Sequence, residues 1–239
     1  MHALAAGQSS GMRLAAIADA SCLDRATTMR LLDALCNQMI VRKNSSGKTY
    51  TLGPELVFLG RAAERSFSFT DAFHRPLLQL VAHTGDCGYV MIRSGASSVC
   101  LCTEAGDYPV QAQVVKIGTR RPLGVGGTSL ALLAALPDEE ITDILMKIEP
   151  QLGNYAGYSV ARLRKEIRET RERGYALIRG YQIEDILTLS CAIRDPQGQY
   201  IAAISVATIS SRLSNGRENS VAELVSSAAR EIEERLRKL

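Results

Sequence analysis

Two stretches of the sequence bring together residue types at spacings that could do chemistry. In the first, Arg25, Thr27, Met29 and Arg30 share the polar face of one helical stretch, and Arg42, Lys43 and Lys48 follow on either side of a turn. Cations at such spacing meet phosphates, and short polar or apolar side chains reach base edges when a helix enters the major groove. The plain alternative is a solvated basic helix face. In the second, Gly124-Val125-Gly126-Gly127-Thr128-Ser129 stands directly before an apolar run from Leu130 to Leu136. Glycines there let backbone N–H groups approach a ligand, and the start of a helix attracts a carboxylate. Ser129 occupies the third glycine position of a GxGxxG pattern, so this is no dinucleotide fingerprint. The alternative is a close-packed turn.

The remaining reactive types are sparse. His74, His83 and Cys87 match no common zinc spacing, nor do Cys100 and Cys102, and no GxSxG elbow is present. No metal and no cofactor are expected. Strict alternation along a strand would point Cys100 and Cys102 to one face, as a redox pair or as part of a pocket wall, so a redox enzyme is a competing expectation. No cation flanks them in sequence to activate a thiolate. With Cys22, Cys36, Cys87 and Cys191 they form no dense framework and read as reduced, mostly buried thiols.

The elements that must position these groups fit a chain of 239 residues, 46% hydrophobic and 22% charged. That is enough for two modest domains, and it excludes collagen, coiled coil and disorder. No apolar run approaches the length of a membrane span, and the first residues lack the basic and apolar regions of a secretory signal, so a cytoplasmic protein is expected. Residues 1–66 carry eight Lys and Arg against five Asp and Glu, so the whole net charge of +3 sits in the first quarter. This suits a module that meets phosphate joined to a neutral body.

The pattern predicts a helix over Met12–Asp19 and a second over Arg25–Gln38, capped by Asp24, with Thr28, Leu31, Leu32, Leu35 and Met39 on its inward stripe. Strands on either side of Asn44-Ser45-Ser46-Gly47 complete a winged helix-turn-helix pattern, within residues 1–53. Pro54 opens a linker helix over residues 54–66. Residues 67–239 read as a mixed α+β domain. Helices are expected over Ala72–Thr84, Gly127–Leu136, from Asp138, over Ser159–Arg173 and over Val221–Leu236. Strands are expected at Gly88–Arg93, Ser98–Glu104, Val110–Lys116, Leu187–Arg194 and Tyr200–Ala207, the last two joined by the turn Asp195-Pro196-Gln197-Gly198.

Several strings, in one order across nearly the whole chain, resemble the IclR family of bacterial transcription regulators. They are Leu14-Ala15-Ala16-Ile17-Ala18, Thr27-Thr28-Met29-Arg30-Leu31-Leu32, Tyr50-Thr51-Leu52-Gly53, Arg121-Pro122-Leu123, Leu132-Leu133-Ala134-Ala135-Leu136-Pro137, Arg173-Gly174-Tyr175 and Ala202-Ala203-Ile204-Ser205-Val206. The resemblance implies an α+β protein with an N-terminal winged helix-turn-helix domain, a linker helix, and a C-terminal GAF-like effector-binding domain with a mostly antiparallel sheet. It implies double-stranded operator DNA and a small carboxylate, possibly aromatic, as partners, a homodimer or homotetramer as the assembly, control of a catabolic operon, and no enzymatic activity or membrane association. An effector-independent DNA-binding protein is the other alternative.

By the same resemblance, Leu123, Gly126, Gly127, Thr128, Cys191 and Ser205 line the effector pocket under the glycine turn, and alternation adds Leu189 and Ala207. Buried core is the plain reading of the last four. The family's first helix has two or three turns, where only Met1–Ala6 stands here, so either this helix is cropped or the start was placed late. A glycine is common where Gln38-Met39 stand, a Gly-Lys pair where Ser129-Leu130 stand, and a serine where Ala207 stands.

Overall fold

The computed structural model describes residues 1–6, 11–44, 47–67, 69–112, 115–180, 184–213 and 216–239, with backbone alone for residue 2 and within 63–70. The chain divides into two compact units, Met1–Ser68 and Phe69–Leu239.

The first unit runs α1 (His2–Ala6), α2 (Leu14–Ser21), α3 (Arg25–Asn37), β1 (Val41–Lys43), β2 (Tyr50–Leu52) and α4 (Glu55–Phe67). Asp24 caps α3 by accepting a hydrogen bond from the Thr27 N–H at 2.8 Å. Leu4, Ile17, Leu32, Val41 and Tyr50 form the small core, with Thr28 buried beside Leu32 on the same helical row. Leu31 departs from expectation. It is 50% exposed, because it lies about 100° around the helix from the buried row. Met39, also expected inside, is exposed and takes a left-handed backbone with φ 55° just past the end of α3. That geometry is why a glycine suits the position. β1 and β2 pair antiparallel. The Asn44 side chain accepts from the N–H groups of Lys48 and Thr49, while Ser45 and Ser46 of the expected turn lie outside the described residues.

The second unit is built on one antiparallel sheet, order β5-β4-β3-β8-β7-β6, made from β3 (Cys87–Ser94), β4 (Ser97–Glu104), β5 (Arg120–Pro122), β6 (Ala176–Arg179), β7 (Ile186–Arg194) and β8 (Tyr200–Ile209). Helices α5 (Phe69–Thr84) and α9 (Arg217–Leu236) cover one face, burying Phe73, Leu77, Val225 and Ile232 against Leu189, Ile204 and Val206. Helices α6 (Gly127–Ala134), α7 (Asp138–Leu152) and α8 (Val160–Arg173) contribute the other apolar cluster, with Ile178 and Ala203 from the strands. Ser159 caps α8, and Gly174 ends it with φ 84°. The Asp195 carboxylate accepts from the N–H groups of Gln197 and Gln199, which sets the β7–β8 turn. Asp86, nearly inaccessible, pairs with Arg212 at 2.9 Å and Arg217 at 3.0 Å, and so ties the start of α9 to the start of β3.

No strand is found over Val110–Lys116 among the described residues. That stretch is irregular, and positions 113 and 114 lie outside them. The outer strand is instead the short Arg120–Pro122, paired with Ser97–Val99. A register shift between Val90 and Met91 sets Cys102 opposite Val90 but Cys100 opposite Met91. Neighbours on β3 point to opposite faces, so the extra residue Leu101 sends the two thiols to opposite sides of the sheet. They do not share a face as alternation alone would have it.

Candidate functional site

The first site is the exposed face of α3 and the hairpin beside it. Arg25, Met29 and Arg30 on α3 are exposed, as are Arg42, Lys43 and Lys48. Thr27 is half-buried, and its hydroxyl accepts from the Arg30 guanidinium at 3.4 Å. The Lys43 ammonium lies 5.5 Å from the centre of the Tyr50 ring, a cation–π contact on the hairpin. Leu31, misplaced inward from the sequence, adds an apolar contact on this side of α3. The surface can hold phosphates along the hairpin and present Arg30 and Met29 to base edges.

The second site is a small cleft at the N-terminus of α6, with a cavity volume of about 30 Å³. Gly126, with φ 85°, turns the chain into α6 and donates its N–H to the Tyr158 hydroxyl at 2.9 Å. At Gly127 an added Cβ would lie 2.8 Å from the Thr188 methyl, so only glycine lets α6 approach β7 this closely. The Thr128 hydroxyl donates to Ser205 Oγ at 2.8 Å. Ser129 donates to the Pro122 carbonyl at 3.0 Å and so accepts from Ser98 Oγ at 2.8 Å. The first N–H groups of α6 have no intrahelical acceptor and form the positive end of the helix dipole.

Gly126, Gly127 and Thr128 therefore come together as expected from the sequence. Ser205 stands directly behind Thr128, and Ala207 packs with Cys87, Tyr89 and Ala112. Three expected residues lie elsewhere. Leu189 and Cys191 sit on the α5–α9 face, one residue out of phase with the cleft, and Leu123 belongs to the core beneath α7 and α8. On a strand, a one-residue error exchanges the faces, and the cleft-facing residues of β7 are Ile186 and Thr188.

Sequence reasoning also missed Tyr89 and Met91 on β3, Arg121 on β5, Ile178 on β6 and Ile186 on β7. Arg121, 8% exposed, is the single charged side chain among the described residues lining the cleft. The Arg120-Arg121 pair shortly before the glycines was the available signal. Burial pushes the Cys100 thiol up to about 11, partly offset by Arg121, and the Cys102 thiol up to about 12. These are the reverse of activated thiols.

A basic helix-turn-helix unit followed in sequence by an α+β unit built on one antiparallel sheet is the domain order of a class of bacterial transcriptional regulators. Residues 64–234 match the family model described as bacterial transcriptional regulator IclR C-terminal, and the chain belongs to the IclR family. It is 30% identical over 217 residues to the HTH-type transcriptional repressor AllR of Escherichia coli K12, covering 88% of this chain and 78% of that one. Among solved structures, an IclR-type transcriptional regulator from Silicibacter sp. TM1040 aligns with TM-score 0.82 at 20% identity, over 95% of this chain and 89% of the other. An IclR homologue from Microbacterium hydrocarbonoxydans complexed with 4-hydroxybenzoate aligns with TM-score 0.69 at 21% identity, over 95% of this chain and 92% of the other.

Proposed function

We propose that this IclR-family transcriptional regulator binds operator DNA through α3 and the β1–β2 hairpin, and that a small carboxylate in the α6 cleft alters that binding. The observation that carries the reading is the separation of two positively biased sites. Arg25, Arg30, Arg42, Lys43 and Lys48 are all exposed on α3 and the hairpin of the first unit, and the start of α6 opens onto a cleft in the second. Thr27, Met29 and Arg30 read bases, and the hairpin cations hold phosphates. Gly126, Gly127 and Thr128 receive the effector, with Ser205 fixing Thr128. The 4-hydroxybenzoate bound by the Microbacterium homologue supports an organic monocarboxylate as the ligand class. The protein acts in the cytoplasm as a homodimer or homotetramer on a catabolic operon, with residues 1–53 as the DNA-binding domain, 54–66 as the linker helix and 67–239 as the effector domain. The exposed run Val57-Phe58-Leu59 on α4 supports self-association.

A fluorescence anisotropy titration against the DNA upstream of the protein's own gene, with a scrambled fragment and two salt concentrations, tests the reading. Binding about a thousandfold tighter to the native fragment is expected. Equal, strongly salt-dependent binding to both fragments would leave only a basic surface.

A further inference from the structure

We infer that the second unit holds a further ligand site, a cavity along the free edge of β7 between α6, α8 and α9, which takes a small phosphate monoester with a hydroxylated body through Arg230. The site is separate from the α6 cleft and does not rest on the reading of that cleft.

The sheet is notched at this place. Pairing of β6 with β7 stops at Ala176 opposite Ser190, whereas β7 runs on to Arg194. Beyond Ser190, no strand flanks that edge of β7 among the described residues. The notch holds a cavity of about 310 Å³, at the lower end of the roughly 300–1,000 Å³ that small-ligand sites span. Side-chain size keeps it open: Ala131 and Ala134 from α6, Ala192 from β7 and Ala229 from α9 reach no further than Cβ. Walls that face an unfilled space give up dispersion contacts, which a ligand seated there would restore.

Charge in the cavity is unbalanced. Arg171, Arg194 and Arg230 line it, with Glu233 the sole acid among the described lining residues. Glu233 is already committed, because one oxygen accepts from the Arg194 N–H at 2.9 Å and the other pairs with Arg237 at 3.7 Å. Arg171 is committed too. It donates to the carbonyls of Ala134 and Leu136 and to the Asp138 carboxylate, and so quenches the negative end of α6 that would otherwise repel an anion. Counting ion-pair partners, the four arginines 171, 194, 230 and 237 stand against Asp138 and Glu233, a surplus of two.

Arg230 differs from its neighbours in having no hydrogen bond or ion pair among the described residues. Burial pushes the Cys191 thiol up and Arg230 partly offsets this, so the guanidinium acts on a group of the cavity wall. Its donor fork matches the oxygens of a phosphate, and a surplus of two positive charges suits a monoester, which carries about −1.5 to −2 at pH 7. Tyr200 and Ser226, both half-buried, add hydroxyls that can give or take hydrogen bonds. A phosphorylated polyol or sugar uses both sets of groups, and a purely apolar body would leave the hydroxyls unpaired.

The experiment uses the full chain and calorimetric titration with ribose 5-phosphate and glucose 6-phosphate, compared with glucose, gluconate and inorganic phosphate. At least one ester should bind about tenfold or more tighter than all three comparison compounds. Arg230→Gln should lose about tenfold or more of that affinity, as should Ser226→Phe, which sets a ring in the cavity, while Thr188→Val in the α6 cleft should change it little. Should Ser226→Phe fail to unfold cooperatively on heating, the exposed Arg230→Glu takes its place. Esters that bind no tighter than glucose or inorganic phosphate overturn the inference, and gluconate binding as tightly as the esters overturns the choice of a phosphate. Affinity that falls with Thr188→Val but not with Arg230→Gln assigns the ester to the α6 cleft and overturns the separate site. Absence of ester binding together with a lower mass of Arg230→Gln by light scattering makes the notch a contact between copies of the chain, and overturns it as well.

Discussion

Thr128 and Ser205 join hydroxyl to hydroxyl at 2.8 Å, both buried, one on the first turn of α6 and the other in the middle of β8. The bond fixes the helix start over the sheet. Ser205→Ala leaves the Thr128 hydroxyl without that acceptor and should cost about 1–3 kcal/mol, whereas the double variant with Thr128→Val should cost less than the two single changes summed. Urea denaturation of the three variants checks this, and strict additivity would mean that the bond holds nothing.

Arg30 and Lys48 should fail differently on DNA. Arg30→Ala should weaken operator binding by about 1–3 kcal/mol and relax preference at one base pair. Lys48→Ala should weaken every sequence alike and reduce the salt slope by about one. Anisotropy titrations across salt on native and scrambled fragments separate the two effects.

Met39 holds a left-handed backbone without being glycine, and its side chain is half exposed. Relief of about 1–2 kcal/mol of backbone strain competes with about 0.5–1 kcal/mol of extra freedom in the unfolded chain, so Met39→Gly should stabilise by on the order of 0.5 kcal/mol. Thermal unfolding of the two proteins side by side measures it. A lower melting temperature would contradict it.

Cys100, Cys102 and Cys191 are each raised by burial, to about 11, 12 and 11. The folded protein keeps these protons where the unfolded chain, with thiols near 8.5, gives them up. Their contribution to stability is therefore complete below about pH 8 and declines as the pH rises towards 11. Denaturation midpoints at pH 7.5, 8.5 and 9.5 should fall in that order, and less steeply in Cys102→Ala. Iodoacetamide at pH 8, read by mass spectrometry, should label the exposed Cys22 ahead of all three.

The helix ends were legible because single residues mark them: Asp24 before α3, Ser159 and Gly174 around α8, and the Asp195 turn between β7 and β8. The faces of the strands were not. β7 and β8 are covered by helices on both sides, so their residues are apolar or small throughout and carry no alternation from which to tell cleft from core. Leu189 and Cys191 were assigned to the wrong face for that reason, and Thr188 was passed over. The extra residue Leu101 changes the phase of β4 with no glycine or proline to announce it. The outer strands Arg120–Pro122 and Ala176–Arg179 are too short to show a period at all. On α3, the apolar Leu31 looked like core because side-chain type alone says nothing about which row faces inward.

All eight residues of α6 are buried, so the helix has no side turned to water. Mutation can therefore explore little there: a larger residue meets β7 or α8, and a smaller one opens a hole. On the reading of this cleft as the effector site proposed above, the room for change lies across it, on the strand residues Thr188 and Ile186. On that same reading, relatives that keep this helix and vary those few strand positions would change the signal to which they respond while leaving the helix that receives it intact.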